Sequence, residues 1–196
     1  MISKGREEMN TTVICDEETA QDNWVLVDPV HCHQRDERNK LIEKVRSLSP
    51  DGKRVQAKFK FIPEDLWFFF DHKIDHLPGM LEINGLRQLS LAMAHLIYKV
   101  PMGWIALLDW LKTTFYSYGD LSVDTYARAE LLHETITKLK CEYVLTAVMH
   151  QGDKKLMRMH GKLIMLHPAL EKRVRNMKVS LDAPEVNDDQ DFVWQD

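Results

Sequence analysis

Residues 79–98 are apolar on almost every side of a helix, and a chain that makes such a helix must wrap something around it. Met80, Leu81, Ile83, Leu86, Leu89, Leu91, Ala92, Met93, Leu96 and Ile97 crowd the segment, which as a helix would run about 30 Å. Glu82, Arg87, Gln88 and His95 interrupt it. A membrane span rarely tolerates such residues, so the reading is a buried helix. Asn84, Gln88 and His95, with Arg87 beside them, fall broadly on one stripe at ~100° per residue. Val100-Pro101 closes the helix.

The wrapping is written in period-two segments. Val55, Ala57, Phe59 and Phe61 alternate with Arg54, Gln56, Lys58 and Lys60. Val123, Thr125, Ala127, Ala129 and Leu131 alternate with polar partners over 122–132. Cys141, Tyr143, Leu145, Ala147 and Met149 share one face of 140–149. Met157, Met159, Leu163 and Met165 share a face of 156–165, opposite Arg158, His160 and Lys162. Trp104–Phe115 is apolar on both faces and reads as a buried strand rather than a second helix. Pro50-Asp51-Gly52 and Gln151-Gly152-Asp153 mark turns. Trp24–Pro29 reads as a short strand, 34–45 as helix or loop, and 169–178 as a short basic helix. One buried helix with five or six antiparallel strands is an α+β domain, a sheet wrapped on a helix.

That domain is expected over residues 24–178. Residues 1–23 are polar and expected to be mobile, and 179–196 form an acidic tail. The N-terminal stretch lacks the apolar region of a signal peptide. A net charge of -4 and a pI near 6.1 argue against nucleic-acid binding, which usually needs a basic face. Cys15, Cys32 and Cys141 form no disulfide framework and suit a reducing cytoplasm.

The chemistry concentrates in Asp65–Leu89, DLWFFFDHKIDHLPGMLEINGLRQL. An aromatic segment, read as a strand, leads through two Asp-His pairs and a Pro-Gly into the helix. A helix N-terminus offers free N–H groups and partial positive charge, so it can hold a carbonyl or oxyanion. Imidazoles beside it point to an acyl group bound and activated there.

The run DH..DH.PGM followed by Arg87-Gln88 resembles the A-factor (γ-butyrolactone) biosynthesis hot-dog family. The DLWFF lead-in with His72 is similar to the β-hydroxyacyl-ACP dehydratases of the same fold. The resemblance implies a single hot-dog domain, a long central helix wrapped by an antiparallel sheet. A-factor proteins usually carry two such domains. A lone one implies a homodimer.

His72 matches the dehydratase catalytic histidine by resemblance, and His76 is its rival within the A-factor motif. A loop histidine held by Asp71 or Asp75 is the bland alternative for both. The resemblance gives Gly79, with Met80, the thioester carbonyl to bind. Asn84 stands where both relatives usually carry Asp or Glu. A carboxamide hydrogen-bonds but exchanges no proton at neutral pH. Glu82 does not replace that acid, since two helical residues turn a side chain by ~200°. The departure argues against plain dehydration and leaves Asn84 and Gln88 to orient the acyl group. Gln88 is also placed to order the loop histidines. Arg87 would pair with Asp71 or Asp75, or meet a phosphate of substrate or carrier. His31-Cys32-His33 lacks the second cluster a zinc site needs, so no metal and no cofactor are expected. His95, like His133, His150, His160 and His167, reads as a core or surface residue.

The resemblance thus implies an acyltransferase that moves a β-ketoacyl group from an acyl carrier protein, or coenzyme A, to a hydroxyl such as that of dihydroxyacetone phosphate. A dehydratase or thioesterase of the same fold is the second reading. A non-catalytic acyl-binding protein is the third.

Overall fold

The computed structural model describes residues 23–70 and 74–176. The expectations for the N-terminal segment through residue 22, for the acidic tail and for His72 lie outside the described residues. The strands are β1 (Val25–Leu26), β2 (Ile42–Ser47), β3 (Arg54–Phe59), β4 (Ile105–Phe115), β5 (Thr125–Ile136), β6 (Lys140–Gln151) and β7 (Lys154–Leu166). The helices are α1 (Gly79–Ala92) and α2 (Pro168–Asn176). The seven strands form one sheet in the order β1-β2-β3-β5-β6-β7-β4, with every pairing antiparallel.

The period-two segments become strands because each buries one face. Val55, Ala57 and Phe59 of β3, Ala127, Ala129 and Leu131 of β5, and the alternate residues of β6 from Cys141 to Met149 are all buried. Met157, Met159, Leu163 and Met165 of β7 complete that face. Against it lies α1, whose Leu81, Leu86, Leu89 and Leu91 are fully buried. Gly85 marks the closest approach: a Cβ there would stand 3.0 Å from the Phe59 ring. Even an alanine there would require the Phe59 ring to give by a few tenths of an ångström.

Four expectations need correction. The segment 34–45 is neither helix nor loop alone, because it supplies a short 3-10 turn (Glu37–Asn39) and the start of β2. A register shift between Ile42 and Lys44 breaks the alternation that would have announced the strand. The aromatic lead-in is a series of turns, in which the Phe69 and Phe70 N–H groups donate to the Leu66 and Trp67 carbonyls. Trp67 and Phe68 stand 70% and 73% exposed. β4 is a strand as expected but not a buried one: it is the sheet's edge, with Leu107, Leu108 and Trp110 exposed. Finally, 79–98 is not one uniform helix. It loosens into a π turn over Met93–Ile97 before Lys99, at φ 57°, ends it.

The polar stripe of α1 is a seam to the preceding chain. The Leu41 N–H donates to Gln88 Oε1 and Gln88 Nε2 donates to the Asn39 carbonyl, both at 2.9 Å. His95 stands 2.9 Å from His33, Nε2 to Nε2. His31 and Cys32 lie in a 3-10 turn (Pro29–Cys32) rather than a strand, and Cys32 is fully buried.

Candidate active site at the start of the central helix

His76 is brought to the head of α1 by chain pairing rather than by its own side chain. It forms an isolated antiparallel bridge with Asp120, and the Leu77 N–H donates to the Gly119 carbonyl at 2.8 Å. Gly119 lets the two leucines pack closely: a Cβ would stand 2.7 Å from a Leu77 methyl and 2.9 Å from a Leu156 methyl, so those side chains would have to shift. The cleft so formed is lined by Asp75, His76, Tyr118, Gly119, Asp120 and Lys154.

His76 Nδ1 lies 3.1 Å from Asp75 Oδ1. A carboxylate only accepts, so in this contact Nδ1 carries the proton and neutral His76 presents an Nε2 lone pair. The Tyr118 ring sits 5.0 Å from the imidazole. Asp75 is fully exposed, so the pair is accessible from solvent.

Pro78 caps α1 without any side-chain hydrogen bond. The Leu81 and Glu82 N–H groups both turn back to the Pro78 carbonyl, at 2.9 and 3.2 Å. The Gly79 and Met80 N–H groups have no acceptor among the described residues. Two open donors at a helix N-terminus are an anion- or carbonyl-binding arrangement. Gly79 is also pinned by packing: a Cβ would stand 2.9 Å from the Phe115 ring at the end of β4.

The residues singled out from sequence therefore separate into groups. His76, Gly79 and Met80 lie at or just before the helix start, with His76 lining the cleft and Gly79 packed against Phe115. Asn84 and Arg87 form a second group further along, where Arg87 Nε donates to Asn84 Oδ1 at 3.1 Å. Gln88 is fully buried and spends its carboxamide on Leu41 and Asn39. Burial lowers the Arg87 guanidinium below its usual range.

Sequence reasoning missed Tyr118 and Lys154, which reach the cleft only through the fold of the sheet. It also passed over the state of Glu82. That side chain is 2% exposed, its Oε2 has no partner among the described residues, and burial pushes its carboxyl up to about 7. Its place on the sheet-facing side of α1, with Leu86 and Leu89, separates it from Asn84. Burial likewise lowers His33 and His95 and raises Cys32 to about 12. Among the described residues, no group of three or more His, Cys, Asp or Glu is arranged to hold a metal ion.

One helix wrapped by an antiparallel seven-stranded sheet is the hot-dog fold, and the solved structures agree. The dehydratase heterocomplex ApeI:P from Xenorhabdus doucetiae is similar at TM-score 0.59 and 14% identity, over 78% of this chain and 98% of that one. An HP0420 homologue from Helicobacter felis is similar at TM-score 0.48 and 12% identity, over 68% and 93% of the two chains. Cj0977, a sigma28-regulated virulence protein from Campylobacter jejuni, follows at TM-score 0.49 and 11% identity, over 69% and 83%. Within that fold, residues 15–167 match the AfsA A-factor biosynthesis hotdog domain, and the chain belongs to that family. No functionally curated protein matches the chain. No helix of the described residues is long and apolar enough to cross a membrane.

Proposed function

We propose that this protein is a cytoplasmic acyltransferase of the A-factor type. It takes a β-ketoacyl group from a carrier-protein or coenzyme A thioester and passes it to a hydroxyl acceptor. The observation that supports this reading is the His76–Asp75 pair, close in sequence to a helix start whose Gly79 and Met80 N–H groups have no acceptor among the described residues. A base and an oxyanion site next to each other are what acyl transfer requires.

In the proposed reaction, His76 Nε2 takes the proton of the acceptor hydroxyl. The alkoxide oxygen attacks the thioester carbon, and the carbonyl electrons move to the oxygen held by the Gly79 and Met80 N–H groups. The intermediate collapses to an ester. The departing thiolate takes the proton from the imidazolium and leaves as thiol. Asp75 holds the imidazole tautomer throughout. Asn84 and Gln88 act in positioning, Asn84 through Arg87 and Gln88 by fixing α1 against the 39–41 segment. His72 is the competing base.

The acting unit is a homodimer joined through β4. An edge strand of 11 residues with unpaired backbone groups and exposed Leu107, Leu108 and Trp110 is a template for pairing. Phe115 ties the end of that strand to Gly79, so a second copy on β4 would wall the site.

Asn84 favours transfer over dehydration, because that position has no acid to protonate a leaving hydroxyl. The test is intact-mass spectrometry of β-ketoacyl- and β-hydroxyacyl-carrier protein, with and without dihydroxyacetone phosphate. Acyl loss that needs the acceptor supports transfer. Loss without it means hydrolysis, and loss of one water from the β-hydroxyacyl group means dehydration. A carrier that stays loaded throughout contradicts catalysis and leaves the acyl-binding reading.

A further inference from the structure

The face of the sheet turned away from α1 carries an ordered row of arginines. One register line across the strands runs through Arg46 of β2, Gln56 of β3, Arg128 of β5, Val148 of β6 and Arg158 of β7. Their chain neighbours Val45, Ala57, Ala127, Ala147 and Met157 are buried on the helix side, so the row faces outward. Neighbouring strands lie about 4.8 Å apart, and an arginine on every second strand therefore recurs at about 10 Å.

No acid stands in that row. The carboxylates around it are engaged with other cations. Asp124 and Glu43 meet Lys58 at 3.1 and 3.8 Å, and Asp109 and Glu142 meet Lys162 at 3.1 and 3.7 Å. Glu130 stands opposite Arg54, two residues along β5 from Arg128. Arg46 is held by a neutral group: its Nε and Nη2 donate to Gln56 Oε1 at 2.9 and 2.7 Å, with the Trp24 ring 4.7 Å from the guanidinium carbon. An amide orients a guanidinium without neutralising it, and a carboxylate is the acceptor that matches its donors in pairs.

The chain itself carries the complement. Residues 179–196 hold six Asp and Glu and no Lys or Arg. Four of those acids, Asp182, Glu185, Asp188 and Asp191, fall at every third position. A polyproline-type strand has three residues per turn and rises about 3.1 Å per residue, so it sets such carboxylates on one side about 9 Å apart. Pro184 favours that form and biases Ala183 toward it. The carboxylate period of the tail therefore agrees with the arginine period of the sheet. Reach is sufficient too. Glu185 lies nine residues beyond Asn176, the last of α2, which is about 30 Å of extended chain. Arg158 lies eight residues back from Leu166, the end of β7, which is about 26 Å. We propose that residues 182–191 lie extended across the outer face of the sheet, with successive carboxylates of that series paired to Arg46, Arg128 and Arg158. This docking surface stands apart from the acyl chemistry proposed at the head of α1 and does not depend on it.

Carbodiimide cross-linking of the full chain tests this, since it joins a carboxylate directly to a lysine that it touches. Lys44, Lys58 and Lys112 flank the arginine row. An equal mixture of 15N-labelled and unlabelled protein is cross-linked at low concentration and digested for peptide mass mapping. Links from 182–191 to the flanking lysines are expected within one isotopic type, and high salt should suppress them. Lys99, exposed beyond the central helix, is the control. Arg128→Gln with Arg158→Gln should cut the yield about fivefold at an unchanged melting temperature. Glu185→Val with Val186→Glu keeps the charge but breaks the three-residue period, and should cut it about twofold. The proposal is overturned by links no commoner than those to Lys99, or by a yield indifferent to either pair of substitutions. Mixed-isotope links overturn it as well, because they put the tail on a second copy. So do links from the acids of residues 1–22 in its place, which make the other terminus the occupant.

Discussion

The two ends of the central helix are finished in opposite ways. At the C-terminal end, the polar groups find protein partners. The His95 Nδ1–H donates to the Val100 carbonyl at 2.8 Å. Neutral His95 then has only a lone pair at Nε2, so the 2.9 Å contact is a His33 Nε2–H donating to it. Lys99 Nζ donates to the Leu96 carbonyl, and the π turn accepts the Tyr98 N–H at Met93. At the N-terminal end, Pro78 offers no side-chain cap, the Gly79 and Met80 N–H groups have no acceptor among the described residues, and His76 Nδ1 contacts Asp75 in an accessible cleft. The helix is held at its closed end, and its open end is free to meet a ligand.

Substitutions should keep those roles apart. The largest effect is expected at the open end: His76→Ala should lower kcat/KM by about a hundredfold or more, with the melting temperature unchanged. Steady-state kinetics of purified protein checks this, with His72→Ala run beside it. If His72→Ala costs the activity and His76→Ala does not, the base has been assigned to the wrong histidine.

The middle of the helix should reveal itself through pH. Glu82 is pushed up to about 7 in the folded protein, against 4.5 for the free carboxyl. Between those values the unfolded chain releases a proton that the folded chain keeps, so stability falls as pH rises through that window. The full drop is about 3 kcal/mol, and Glu82→Gln should remove that slope in urea unfolding followed from pH 4.5 to 8. The histidine pair acts with the opposite sign. Burial lowers both imidazoles, so the unfolded chain binds more protons below about 6.5 and stability falls as pH drops. Replacing His33 and His95 together should therefore steepen the Glu82 slope in the acid half of the range.

Gln88→Ala strips the buried Leu41 N–H and the Asn39 carbonyl of their partner and should cost about 2–3 kcal/mol, with only a modest loss of kcat/KM as α1 loosens. The smallest effect is expected from His33→Ala, about 1 kcal/mol, with no change in kcat. A large kinetic loss in either variant would mean that the closed end also takes part in catalysis.

What could be read in the chain depended on whether a signal was local. β3, β6 and β7 each bury one face, so period-two patterning announced them. β2 hid behind its register shift. The exposure of β4 was not legible, because an edge strand with apolar residues on both faces looks like a buried one until its neighbour is known. Trp67 and Phe68 mimicked a strand for the same reason. His76, Pro78 and Gly79 are near neighbours in sequence, so the open end could be anticipated. Tyr118 and Lys154 join the cleft only through tertiary pairing. The polar stripe was legible, but its partners were not: Gln88 and His95 bond to the backbone of Asn39, Leu41 and Val100, which no side-chain pattern encodes.

The central claim is that the Gly79 and Met80 N–H groups grip a thioester carbonyl. Isotope-edited infrared spectroscopy of a carbonyl-labelled acyl-pantetheine tests it directly, with His76→Ala used to prevent turnover. Two donors on the oxygen weaken the C=O bond, so the bound carbonyl should absorb at lower frequency than in water. A bound thioester whose carbonyl absorbs as it does in water, or higher, would contradict the account.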